Sequence, residues 1–166
     1  MKMTVEVQGL RELNAALRQL PQKVEKRVLD AALKAGAAPI AADASRRAPV
    51  LQEPDPRRKP GTVRDAVKAT SRRETEGHSA LVVVKPRRLT RAQISLFKAK
   101  SGQSGANNPE DPWYWWFIEF GTRFQAARPF LRPAFEARKN EAVRLIHERL
   151  GRRLRTAWEK LGFRRR

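Results

Sequence analysis

The hydrophobic period changes along the chain, and each change marks an element. Residues 3–7 (Met-Thr-Val-Glu-Val) alternate apolar and polar in the manner of a short strand, which Gly9 ends. Leu10, Leu13, Leu17 and Leu20 then fall at helical spacing, and Pro21 stops that short helix. A longer helix is predicted over residues 22–47. Val24, Val28, Ala31, Ala35 and Ala38 form one stripe, which Leu29, Leu33 and Ile40 broaden. The many alanines would let another backbone approach closely. Pro39 lies inside this pattern and predicts a kink or a division, because it lacks an N–H and crowds the preceding turn. Ala48 and Pro49 end the helix.

Residues 50–61 contain Pro54, Pro56 and Pro60 and read as an extended loop. Thr62 to Val67 predicts one helical turn capped by Thr62. Two strands follow, Val67 to Thr75 and Ala80 to Lys85, with a turn around Gly77. The second is an apolar run and is expected inside the sheet. Thr90 to Lys98 predicts a short helix with Ile94 and Phe97 on one side, and the Gly/Ser/Asn/Pro stretch after it reads as a mobile loop. An aromatic run, Trp113 to Phe117, precedes a long amphipathic helix that begins past Pro129. Leu131, Phe135, Ala142, Leu145, Ile146, Leu150, Leu154, Trp158 and Leu161 give it one apolar stripe, with Gly151 a weak point. The expected fold is α+β: one domain over residues 1–166, with a small antiparallel sheet packed against a long N-terminal helix and a long C-terminal helix. Mobile loops are expected at 50–61 and 86–112.

Composition narrows the function. The chain has 166 residues, enough for a core without staples, and no cysteine, which excludes disulfide frameworks, zinc ribbons and thiol nucleophiles. No apolar run approaches the roughly 18 residues of a membrane span. The absence of cysteine fits folding in the cytoplasm. Lys and Arg number 36 against 17 Asp and Glu, a net charge of +19. So large a charge repels itself and predicts an anionic partner, nucleic acid first among them. The bland reading is a solvated arginine surface, since 25 of the basic residues are Arg.

Catalytic chemistry is not assembled by the sequence. His78 and His147 lack the paired spacing of metal ligands, and no nucleophile elbow, phosphate-cradling loop or Walker-type lysine is present. Glu119, between Ile118 and Phe120, is the one carboxylate in the aromatic segment. It is open to three readings: a catalytic group, a partner of Arg123 or Arg128, or an acceptor for backbone N–H groups. The expectation is a protein that is not an enzyme, with no cofactor and no metal.

The most distinctive stretch joins Glu119, Phe120, Gly121 and Thr122 to Arg128, Pro129, Phe130, Leu131 and Pro133. With Val7 to Leu13, Leu20-Pro21, the Arg46 to Val50 segment and the Pro60 to Val67 turn, this ordered set resembles a phage family. It is similar to the neck or tail-component proteins of long-tailed double-stranded-DNA bacteriophages, counterparts of the lambda Z protein. The longer loop at 50–61, an insertion at 86–112 and Pro39 depart from that pattern.

The resemblance implies a structural virion protein needed for tail completion and head–tail joining, assembled in the host cytoplasm. It implies a homo-oligomeric ring, expected to be a hexamer, at the neck between head-closure or connector proteins and tail-terminator or tail-tube proteins. Genomic DNA would pass through its channel without sequence reading, and no membrane is involved. Trp113, Tyr114, Trp115, Trp116 and Phe117 are the candidate interface, because clustered large aromatics suit anchors at a contact; the alternative is that they fill the core. Arg87, Arg88, Arg91, Lys98 and Lys100, with Arg152, Arg153, Arg155, Arg164, Arg165 and Arg166, are the DNA-channel candidates. The runner-up is a free-standing basic nucleic-acid-binding protein that does not read sequence.

Overall fold

The computed structural model describes residues 22–53, 58–74, 77–85, 90–96 and 108–160. The expected strand at 3–7 and helix at 10–20 lie outside the described residues. So do Arg87, Arg88, Lys98, Lys100, Arg164, Arg165 and Arg166.

Two long helices form the frame: α1 (Gln22–Arg47) and the last helix, here α5 (Leu131–Lys160). They run antiparallel. At one end Val28 and Ala32 of α1 pack with Leu150, Leu154 and Ala157 of α5; at the other, Ala44 and Ala48 pack with Phe130 and Ala134. Between these clusters the helices cross at Gly36. A Cβ there would lie 2.3 Å from Ile146 Cγ1 and 2.9 Å from the Ala142 carbonyl, so only glycine admits this approach.

This crossing displaces the expected stripe of α1. Val28 is buried, but Ala31 and Ala35 are half-buried and Ala38 is exposed; the buried row runs through Val28, Ala32, Gly36, Ile40 and Ala44. The row steps by four residues and passes through a glycine, which an apolar count overlooks. Pro39 does not divide the helix, which continues through it to Arg47.

Five short elements are described between the long helices: α2 (Thr62–Ala66), β1 (Val67–Glu74), β2 (Gly77–Val84), α3 (Arg91–Leu96) and α4 (Trp115–Phe120). Gly61, not Thr62, is the N-cap of α2; the Thr62 hydroxyl instead donates to the Lys59 carbonyl at 2.6 Å. Strands β1 and β2 pair antiparallel from Val67 with Val84 to Glu74 with Gly77. Gly77 opens β2 directly after the chain reversal, and the strand starts three residues earlier than its apolar run.

Among the described residues the sheet has two strands, β1 beside β2, and the hairpin lies against α1. Ser71 Oγ donates to Asp30 Oδ1 at 3.1 Å, and His78 Nδ1 stands 3.6 Å from the same oxygen. The α+β arrangement of sheet and two long helices is present as expected. No described helix is long and apolar enough to cross a membrane.

Asp43 on α1 accepts from Arg46 at 2.8 Å and from Arg47 at 2.7 Å. The Arg47 hydrogen bond holds its carboxyl below the usual aspartate range, against the opposing effect of burial.

Candidate functional site

The segment from Asn108 to Ala134 is built by a chain of local hydrogen bonds. Asp111 accepts the Trp113 N–H at 3.1 Å, and the Pro112 carbonyl accepts the Trp115 N–H at 2.8 Å. Burial raises the Asp111 carboxyl above the ordinary aspartate value, and the Trp113 N–H bond opposes the shift. These contacts start α4 (Trp115–Phe120), a helix that the sequence pattern did not announce. The preceding loop is fixed to the chain around Lys59: its N–H donates to the Pro109 carbonyl at 3.1 Å, and its ammonium pairs with Glu110 at 2.7 Å.

Gly121 ends α4 with φ 74° and ψ −179°. A Cβ there would lie 2.8 Å from the Ala127 nitrogen and 2.9 Å from the Gln125 carbonyl, so both conformation and space call for glycine. Thr122 then closes a tight turn. Its hydroxyl accepts the N–H groups of Phe124 and Gln125 at 3.2 and 3.1 Å. The Arg128 N–H returns to the Ile118 carbonyl at 2.8 Å and brings the chain back over α4.

Glu119 completes the segment. The residue is 7 % exposed, and its carboxylate accepts three backbone N–H groups: Phe130 at 2.8 Å, Leu131 at 3.0 Å and Arg132 at 3.1 Å. Pro133 has no N–H to satisfy, and the Ala134 N–H reaches the Phe130 carbonyl at 3.4 Å as the helix begins. Every donor at the start of α5 is thus accounted for by one carboxylate and one proline. A negative charge there also faces the positive end of the helix dipole. Of the three readings of Glu119, the structure selects the backbone acceptor.

The aromatic residues divide between two sides of this framework. Tyr114, Trp115 and Ile118 pack on the buried cluster of Ala44, Ala48, Val63, Phe130 and Ala134. Trp113, Trp116, Phe117, Phe120 and Phe124 face solvent, with Trp113 59 % and Phe124 84 % exposed. The exposed rings brace one another. Trp113 meets Phe117 edge-on at 5.9 Å, and Trp116 lies 4.4 Å from Phe120. Arg58 sits over Tyr114 at 4.9 Å and Trp113 at 5.9 Å, and Arg123 covers Phe124 at 4.3 Å.

Of the five interface candidates, three therefore point outward and two inward. The candidates omitted Phe120 and Phe124 from this face. Trp113, Trp116, Phe117 and Phe120 stand at i, i+3, i+4 and i+7 and share one side once α4 forms. Phe124 carried no such signal, because the turn of Thr122 sets its direction.

The described DNA-channel candidates are all exposed: Arg91 on α3, and Arg152, Arg153 and Arg155 on the last half of α5. They occupy separate elements rather than one cluster. Among the described residues, no group of three His, Cys, Asp or Glu could hold a metal ion.

A family model described as "Bacteriophage HK97-gp10, putative tail-component" matches residues 11–121, about two thirds of the chain. The chain belongs to this family. No curated protein matched the sequence, and no solved structure matched it. The region shared with the HK97-gp10-like tail components contains α1, the hairpin and α4, and its last residues are Glu119, Phe120 and Gly121. Helix α5 lies beyond the match, yet the carboxylate that caps it lies within.

Proposed function

We propose that this HK97-gp10-like protein is a structural subunit of the phage neck. Copies, six in number, form a ring at the head–tail junction, between head-closure or connector proteins and the tail terminator or tail tube. The ring is needed for tail completion and for joining head to tail, as the sequence resemblance to the lambda Z protein implies. Assembly takes place in the host cytoplasm and the finished protein resides in the virion. No catalytic step belongs to this role; Glu119, the carboxylate best placed to suggest one, is engaged in capping α5.

The observation that carries the proposal is the exposed aromatic turn within the family match. Large rings held rigid on a short helix lose little entropy on docking and suit the anchors of a protein contact. The charge fits the same role. Six copies of +19 bring roughly a hundred positive charges to one ring, and DNA in its channel offsets them without base contacts. Arg91, Arg152, Arg153 and Arg155 are the described side chains proposed to face it.

Deletion of the gene from the phage tests the role. Electron microscopy of the lysate is expected to show DNA-filled heads and tails that fail to join. Joined, infectious particles without the protein would contradict it.

A further inference from the structure

Val28 on α1 packs in one cluster with Leu150 and Leu154 on α5. Arg27 stands one residue before Val28, and Arg149 and Arg153 stand one residue before Leu150 and Leu154. One residue turns an α-helix by about 100°. In an antiparallel pair, positions displaced in the same sense from the shared contact fall on the same side. Arg27, Arg149 and Arg153 therefore share one side of the α1–α5 pair, and Lys34, two turns beyond Arg27, continues it. All four are exposed, and none forms an ion pair among the described residues.

We propose that this side of the helix pair lies along the backbone of duplex DNA and holds it without reading sequence. The inference rests on the DNA-contact reading above and adds α1 to it. Of the arginines named there, Arg153 lies on this face.

The carboxylates at this end of the pair lie on its other sides. Glu25 is one turn before Leu29, which follows Val28 and so faces away from Arg27. Asp30 is turned to the hairpin, where it accepts from Ser71 at 3.1 Å. Glu148 and Glu159 stand two residues from buried Leu150 and Ala157, on the side of α5 remote from α1. The described charge on the proposed face is of one sign, and it calls for an anion.

The apolar residues select phosphate over a protein carboxylate. A protein contact is built around buried apolar and aromatic anchors, whereas a DNA contact is more polar and far more positive. The large hydrophobic side chains that are exposed, Leu51, Leu96, Trp113, Trp116, Phe117, Phe120 and Phe124, all stand outside α1 and α5. This face offers charge without such anchors. Its breadth sets the mode of contact. Two helices side by side span roughly 20 Å, more than the major groove's width of about 12 Å, so the side chains meet phosphates rather than base edges.

The test is binding of the full chain to a labelled mixed-sequence duplex, read by fluorescence anisotropy between about 50 and 200 mM salt. Arg27→Ala with Lys34→Ala is expected to lower the log–log salt slope by up to about 1.8, and adding Arg149→Ala and Arg153→Ala by up to about 3.6. Lys68→Ala with Arg72→Ala, exposed on β1, is expected to leave the slope unchanged. An unfolding midpoint equal to the parent's confirms that each variant is folded. A slope indifferent to the Arg27 and Lys34 pair, an equal loss from the Lys68 and Arg72 pair, or a marked sequence preference overturns the two-helix face. In each case the parent still binds DNA and the DNA-contact reading stands. A parent chain that does not bind the duplex overturns both, and its retention on immobilised poly-glutamate would then assign the face to an acidic protein.

Discussion

Glu119 and Phe130, eleven residues apart and both buried, are joined by a hydrogen bond in which the Phe130 N–H donates to Glu119 Oε2 at 2.8 Å. Through this bond the turn bearing the exposed rings and the start of the longest helix become one rigid unit. The side chain does for α5 what a local Ser or Asp cap does for most helices, from a distant position.

Glu119→Ala leaves three buried or half-buried N–H groups without an acceptor and is expected to destabilise the fold by about 2–4 kcal/mol. Glu119→Gln keeps the shape but turns one acceptor oxygen into a donor facing N–H groups, and is expected to cost about 1–3 kcal/mol. Denaturant midpoints check both. An unchanged midpoint for the alanine variant would show that water replaces the carboxylate at no cost.

Gly36 and Gly151 both lie in helices and should respond with opposite sign. Gly36→Ala drives a methyl group into Ile146 and the Ala142 carbonyl, and is expected to cost about 1–3 kcal/mol despite alanine's better helix propensity. A Cβ at Gly151 meets nothing within 4 Å, so Gly151→Ala is expected to gain about 0.5–1 kcal/mol. Thermal unfolding of the two variants against the parent reads the signs directly.

These positions also show what the sequence made legible. Helix α5 was readable because its apolar period persists over many turns, and the hairpin because a β-branched apolar run follows a turn signal at Gly77. The face of α1 was not, because Gly36 and Asp43 belong to the buried side and neither registers as apolar. Helix α4 was hidden by its own residues: six positions rich in Trp and Phe carry weak helix propensity, and the helix is held by Asp111, Gly121 and the Arg128 return. The Glu119 cap was visible only as one alternative of three, because its partners lie more than ten residues downstream. The division of the aromatics followed from α4 and was out of reach until that helix was placed.

Asp43 makes the fold sensitive to acid. Its folded-state carboxyl titrates below the ordinary aspartate value because Arg47, then Arg46 and the charge of Arg138, favour the anion. That contribution is present above the unfolded aspartate value and is lost as pH falls through the lower folded value, in the region below about pH 4. Asp43→Asn is expected to flatten the decline of stability over that window, measured as denaturant midpoints from pH 6 to pH 2. A curve parallel to the parent's would show that Asp43 does not couple to folding.

The exposed arginines of α5 give a prediction for DNA. Replacing Arg152, Arg153 and Arg155 with Ala is expected to leave the midpoint of unfolding unchanged and to make duplex-DNA affinity less salt-dependent. Each lost phosphate contact reduces the log–log slope by about 0.9, up to about 2.7 for all three. An identical slope would remove these side chains from the phosphate contact.

The central claim is that this protein is a structural subunit of the neck, and cryo-electron microscopy of the assembled particle tests it most directly. The expected result is a ring of density at the head–tail junction into which the antiparallel α1–α5 pair fits in each copy. A particle complete at the neck, with no density that accepts this helix pair and turn, would contradict it.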